Sequence, residues 1–444
     1  MRAFFAFGLI GTHALAAAAH LLSSVSCAIA DVAMGENHSL SIGEAEACSG
    51  QRGKQFALFM CFGFLLVGVV GTLLGPILPM LAAKWQVGDA EVSWLFGAQF
   101  SGGIIGSALS SRMIARVGLL RLLTYGYAAT AAAVACLGVS SWALGLLSVF
   151  SFGFALGLMG PVMSLLMAEV YANRRAAALN VLGFAWALGA VAGPPMITLF
   201  ARDGGLVRPL GGLAIMLLGV ALVIAWRALV DSPSGSDLRS LGRKNPTHLE
   251  GSPRRSWRSL YALLTGALIF IYVGTETATS GWIATYAQRL SAPTNEFGTM
   301  TPSIFWLGLL IGRAVAPAVL VLVSEAALVL ISLFIGGAGL LIILFGSNLV
   351  SVTLGVGVTG LGLAAIFPTT FAIFTRYFGA LSSELTGSFF VVGGLGGALI
   401  PLLVGFVSGR TGDLRLGLLV PALGVAAMIV LQLCILQVLG RRRS

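Results

Sequence analysis

The feature that most constrains this chain is a recurrence of apolar stretches, each long enough to cross a bilayer and separated by short polar breaks. They run at about 56–82, 91–112, 119–140, 142–168, 177–201, 210–230, 259–286, 303–323, 325–346, 350–375, 386–408 and 416–438. A spanning helix needs about 20 mostly apolar residues. Inside lipid every backbone donor and acceptor must find its partner within the protein, which helices achieve locally. The pattern therefore predicts an all-α membrane protein with twelve transmembrane helices. Composition agrees, with 57% hydrophobic and 9% charged residues, where soluble domains average about 25% charged.

The net charge of +10 does not call for nucleic acid, because the basic residues sit in short loops and tails. One side carries Arg52, Lys54, Arg112, Arg116, Arg121, Arg174, Arg175, Arg376, Arg441–Arg443 and the basic loop from Arg239 to Arg258. The other carries only Lys84, Arg202, Arg208, Arg289, Arg410 and Arg415. Basic loops stay in the cytoplasm, so both ends of the twelve-helix bundle are expected there. Residues 231–257 are rich in Ser, Pro and Arg and read as a cytoplasmic linker. They divide an N-terminal six-helix bundle (51–230) from a C-terminal one (258–444). Residues 1–50 form a prefix in which Ala28-Ile29-Ala30 fits a signal-peptidase site. A cleaved signal would leave Arg52 and Lys54 outside. The prefix is thus a mis-called start, a signal or an extra helix, and the first agrees best with the loop charges.

The two halves are related. Gly71-Thr72 matches Gly274-Thr275, Gly106-Ser107 matches Gly312-Arg313, Pro161 matches Pro368 and Pro194 matches Pro401, all at an offset near 205 residues. A parallel repeat of six spans predicts a pseudo-two-fold axis along the membrane normal, with the substrate site between the halves near mid-membrane. Gly102, Gly103 and Gly106 are spaced to let helices approach closely, as are Gly183, Gly189 and Gly193 in the fifth span and Gly393, Gly394, Gly396 and Gly397 in the eleventh.

Few residues are able to carry chemistry. The five cysteines are scattered, three of the four histidines lie in the prefix and the fourth in the central loop. There is no phosphate-binding loop, no Ser/His/Asp set and no metal-ligand cluster, which leaves an enzyme without residues. What stands out is Tyr272–Tyr286, reading YVGTETATSGWIATY. Glu276 is its deep carboxylate, costly in lipid by roughly 2.5–3.5 kcal/mol and so a functional-site candidate by default. Thr275, Thr277, Thr279 and Ser280 surround it, and Trp282 and Tyr286 follow. A carboxylate, hydroxyls and amphipathic aromatics suit a polyhydroxylated ligand. Equally, the aromatics could mark the interface belt. Arg313 is the other mid-membrane charge. At 1.5 Å per residue it falls within about one helical turn of Glu276 in depth, so the two are placed to pair, functionally or as a static ion pair. Gln99, Asn180 and Trp306 are further candidate ligands.

The loop Ser111–Gly118 followed by Arg121 resembles the signature loop of the major facilitator superfamily, Gly-x-x-x-Asp-Arg-x-Gly-Arg-Arg. Arg116 and Gly118 fit, Arg121 is shifted and the Asp is replaced; with Arg112, Arg116 and Gly118 form the expected gating loop. YVGTETATSGW together with FWLGLLIGRA is similar to the fucose permease branch of that superfamily, which includes sodium- or proton-coupled hexose carriers. The resemblance covers about residues 55–438. Where that branch commonly has acidic or amide residues on its first and fourth helices, this chain has Gly75, Gly160 and Ser164, which leaves Glu276 as its obvious acidic coupling site.

The resemblance implies the major facilitator fold, two pseudo-symmetric six-helix bundles, and a secondary transporter working by alternating access. Its expected cargo is a neutral sugar or related polar small molecule, moved with a proton or a sodium ion and with no cofactor or metal. Glu276, Trp282, Tyr286, Gln99, Asn180 and Trp306 are the expected substrate ligands, and Glu276 and Arg313 the coupling residues. Proton-coupled efflux of amphipathic drug-like molecules is the alternative, and a non-transporting sensor or scaffold the second. The expected partners are a small-molecule substrate and the lipid bilayer of the plasma membrane (the inner membrane if bacterial), with the chain acting as a monomer.

Overall fold

The computed structural model describes residues 58–171, 175–201, 205–230, 259–290, 297–379 and 382–440. The prefix 1–50, the 231–257 linker and the charges Arg52, Lys54, Arg174, Arg202 and Arg441–Arg443 lie outside these residues. Among the described residues, eleven helices are long and apolar enough to span a membrane, and a bent pair supplies a twelfth.

In chain order they are α1 (Leu58–Gly71 with Leu74–Trp85), α2 (Asp89–Val117), α3 (Leu119–Val139), α4 (Trp142–Val170), α5 (Arg175–Phe200) and α6 (Val207–Val230). The second set is α7 (Leu260–Leu290), α8 (Phe297–Val319), α9 (Glu325–Phe345), α10 (Leu349–Phe378), α11 (Ser382–Thr411) and α12 (Leu414–Val438). Helices alternate in direction. The ends at Trp85, Asp89, Arg289 and Asp413 define the upper face, and those at Gly118, Leu260 and Phe378 the lower one.

Two spans break where proline removes a ladder donor. Pro76 cannot donate to the carbonyl of Thr72, and α1 bends there by 43°. Thr72 Oγ1 instead donates to the Gly68 carbonyl at 3.0 Å, and Gln99 Nε2 reaches the Gly71 carbonyl at 2.9 Å. Pro368 has the same relation to Ala364, where α10 divides into Leu349–Leu363 and Ile366–Phe378. At the α2–α3 turn Gly118 adopts φ +83°, a left-handed backbone that glycine enters without steric cost.

Close helix seams repeat between the halves. At Gly102 and Gly106 of α2 a Cβ would run into the carbonyls of Phe150 and Phe154 on α4. At Gly308 of α8 it would meet the carbonyl of Gly357 on α10, and at Gly312 it would lie 2.7 Å from that of Leu361. The α1–α5 seam uses Gly68 and Gly189 against the carbonyls of Trp186 and Leu65; the α7–α11 seam uses Gly274 and Gly396 against each other and Phe270. Each pair lies at the offset near 205. The seams correct one expected match: Gly68, not Gly71, is the counterpart of Gly274. Gly71 faces the Trp186 indole at an ordinary 3.6 Å, with room for a side chain.

Contacts that join the halves cluster toward the upper face, where α1, α2 and α5 meet α7, α8 and α11. A Cβ on Gly75 would lie 2.7 Å from the Ser280 carbonyl, and one on Gly281 2.6 Å from the Phe96 ring. Thr198 and Thr299 share a hydroxyl hydrogen bond of 2.8 Å, and Ser303 Oγ donates to the Val191 carbonyl at 2.8 Å. Neither α4 nor α10 packs comparably against the opposite half. The halves thus lean together above.

Candidate functional site

α7 builds the site because one unbroken helix of 31 residues carries its polar groups from the lower to the upper face. Glu276 lies near the middle of α7, partly open, with Tyr272 one turn below it and fully buried. Arg313 of α8 interacts electrostatically with Glu276, and Tyr272 interacts with both. Among the described residues, the ion pairs closer than 4.0 Å are Arg289–Asp89 and Arg376–Glu325, so the charged atoms of Glu276 and Arg313 lie more than 4.0 Å apart.

The polar atoms around them have spare capacity. Arg313 Nε and the Thr279 hydroxyl are buried without a hydrogen-bond partner, and the Tyr272 hydroxyl is buried beside Glu276 and Arg313. Each such group costs about 1–3 kcal/mol if left unsatisfied. A cluster of unsatisfied donors and a carboxylate at mid-span has the chemistry to take an ion, water or a hydroxylated ligand.

The other expected ligands fall in different places. Gln99 is 9% exposed and spends its amide N–H on the break in α1. Trp306 packs edge-on against Trp186 across the two halves, with ring centroids 5.5 Å apart. Asn180 is exposed in the lower part of α5, away from this group. Trp282 corrects its expected role in this arrangement. It is fully buried, its Nε1 donates to the Pro401 carbonyl at 3.0 Å and its ring lies 6.2 Å from Phe96, which leaves no face open to a ligand. Tyr286 is 5% exposed and borders a cleft of about 430 Å3 on the upper face, beside Arg289, Asp413 and Arg415. It is thus nearly three turns above Glu276 rather than beside it.

The gating-loop residues Arg112 and Arg116 are exposed at the lower face and make no ion pair among the described residues. In the second half Arg376, at the end of α10, forks onto Glu325 at the start of α9. Gly75 explains its own missing side chain, since the Ser280 carbonyl occupies that space. Sequence reasoning missed Asp89, Ser408 and the closure they make with Arg289. Charges at span ends look alike in sequence, and only their sharing of one face would have hinted at it.

Twelve spans in two related halves, closed over a polar group at mid-span, are the build of a membrane transport protein and not of an enzyme. The chain belongs to the Major Facilitator Superfamily, whose profile it matches over residues 60–401. It is 24% identical over 369 residues to sodium-dependent glucose transporter 1 of Xenopus laevis, covering 76% of this chain and 72% of that protein. It is 22% identical over 352 residues to the glucose/mannose transporter GlcP of Bacillus subtilis (strain 168), covering 77% and 85%. Among solved structures, FucP in the outward conformation aligns with a TM-score of 0.54 at 19% identity, over 85% of this chain and 98% of that one. A mutant of the nucleoside transporter NupG aligns at 0.68 with 12% identity, over the same 85% and 98%.

Proposed function

We propose that this protein is a secondary active transporter that carries a neutral, hexose-like sugar by alternating access, coupled to a proton or a sodium ion. The observation that carries this is the Glu276–Tyr272–Arg313 group at mid-span, between halves whose contacts among the described residues gather toward the upper face. Its relatives include sodium-dependent glucose transporters and a glucose/mannose transporter, which supports the sugar and the cation. The excess of Arg and Lys in the lower loops makes the lower face cytoplasmic. With the upper face closed, the structure then corresponds to the inward-facing state.

In the cycle, a cation binds the Glu276 carboxylate from the outer side and relieves its cost in lipid. The sugar's hydroxyls pair with Glu276 and Arg313, the partly open members of the group, with the buried Tyr272 behind them. When the ion leaves to the cytoplasm, Arg313 supplies the balancing charge, because it already faces Glu276. The unit is a monomer, since both halves of the site come from one chain.

Counterflow in proteoliposomes, with sugars, nucleosides and cationic dyes offered in turn, tests this. Exchange of hexoses, stimulated by an inward proton or sodium gradient, is the expected result. Exchange of dyes alone would establish drug efflux instead, and no exchange of any class would remove the transport function.

A further inference from the structure

The helix that carries Glu276 also carries a closure of the upper face. Arg289, near the upper end of α7, donates to both carboxylate oxygens of Asp89 at 2.8 and 2.6 Å. Ser408 of α11 donates to the same carboxylate at 2.5 Å. Asp89 belongs to the first half, Arg289 and Ser408 to the second, so these bonds hold only while the halves touch. The Asp89 side chain is 10% exposed and that of Arg289 46%. Separation returns the guanidinium to water readily but must also resolvate the carboxylate, which is the partner that depends on the contact.

Beneath this cluster α2 rests on a glycine seam of α11. A Cβ on Gly405 would lie 2.6 Å from the Asp89 carbonyl and 2.8 Å from the Trp282 ring, and one on Gly409 2.9 Å from Cβ of Ala90. The two glycines, one turn apart, allow Asp89 to come within reach of Arg289 and Ser408. On the second seam, α5 against α8, the halves meet through Thr198–Thr299 and Ser303–Val191, which are neutral hydrogen bonds. Among the described residues the charge-assisted closure is confined to one seam.

We infer that Asp89, Arg289 and Ser408, admitted by Gly405 and Gly409, form a releasable lock that sets how readily the upper face opens to admit substrate. The inference rests on the alternating-access function proposed above. The lock and the site share α7, with Glu276 and Arg289 about 20 Å apart along it at 1.5 Å per residue. Trp282 lies between them, held by Pro401 and touching the seam at Gly405. A shift of α7 on loading Glu276 is thereby felt at Asp89, and release of Asp89 frees α7 to move.

Full-length protein in proteoliposomes, with its native cysteines replaced and Ser93→Cys as reporter, tests the lock. Ser93 is fully buried under Gly405, so a membrane-impermeant maleimide reaches it only when the upper face opens. Asp89→Asn, Arg289→Gln and Gly405→Ala are each expected to raise the labelling rate by about tenfold or more, the last without touching a charge. The swap Asp89→Arg with Arg289→Asp is expected to restore the slow rate. If Asp89→Asn fails to fold, Ser408→Ala and Gly405→Ala decide. Labelling within about twofold of the parent in all folded variants overturns the lock, and with coupled hexose uptake intact it does so while leaving the transport function standing. Faster labelling in a protein that exchanges no sugar would keep the lock and sink the transport function.

Discussion

Thr198 on α5 and Thr299 on α8 meet hydroxyl to hydroxyl at 2.8 Å, and their counterparts at the repeat offset near 205, Gly405 and Ser93, meet at the corresponding point of the other seam. One symmetric position thus holds a hydrogen bond on one side and a glycine contact on the other. The first seam is fastened by neutral hydroxyls. The second brings α2 and α11 close enough for Asp89 to gather Ser408 and Arg289.

Glu276→Gln keeps the shape of the side chain and removes its charge. Gradient-driven hexose uptake is expected to fall at least about tenfold while counterflow survives, because exchange does not require the ion to be released. Uphill transport unchanged across pH 5–8 would show that Glu276 is not the coupling group. Loss of both modes would make it a substrate ligand.

Arg313→Met leaves the Glu276 charge without its balancing cation. Removing one member of a buried pair typically costs about 3–5 kcal/mol. Here the charged atoms lie more than 4.0 Å apart, so a loss at or below the lower end of that range is expected in thermal unfolding. Glu276→Gln in the same chain is expected to recover most of it. A double variant as unstable as the single one would show that the two charges do not sense each other.

Trp282→Phe removes one hydrogen bond, the one to the Pro401 carbonyl, worth about 1 kcal/mol. Hexose affinity is expected to stay within about twofold, since the indole is sealed between helices. A tenfold loss of affinity measured by calorimetry would return Trp282 to the substrate site.

Gly106→Val and Gly312→Val insert bulk at symmetry-related seams. Each is expected to lower stability by about 1–3 kcal/mol or more through overpacking. Gly183→Val, whose Cβ meets nothing within 4 Å, is the control and should stay near the parent. Equal melting temperatures for all three in detergent would show that the seams are not tight.

Cysteines placed at Ser240 in the linker and at Asp413 on the upper face should report opposite sides of the membrane. An impermeant reagent added outside whole cells is expected to label position 413 alone. Labelling of both would reverse the assignment of the lower face to the cytoplasm.

The sequence by itself determined the class of fold. Apolar length demands helices in lipid, and the twelve stretches coincide with the helices found, with the bent α1 as one of them. It also singled out Glu276 and Arg313, because a charge in the middle of an apolar span is conspicuous wherever the chain goes next. It did not determine what the neutral polar and aromatic residues do. Trp282 reads as a ligand until Pro401 and Gly405 enclose it; Gln99 reads as a ligand until the bend in α1 exposes the Gly71 carbonyl to it. Those outcomes depend on residues that are distant in sequence and on which face of each helix is turned inward. The same holds for Asp89, Arg289 and Ser408. Each is an unremarkable residue at the end of a span, and only the lean of the two halves brings their atoms within hydrogen-bonding distance.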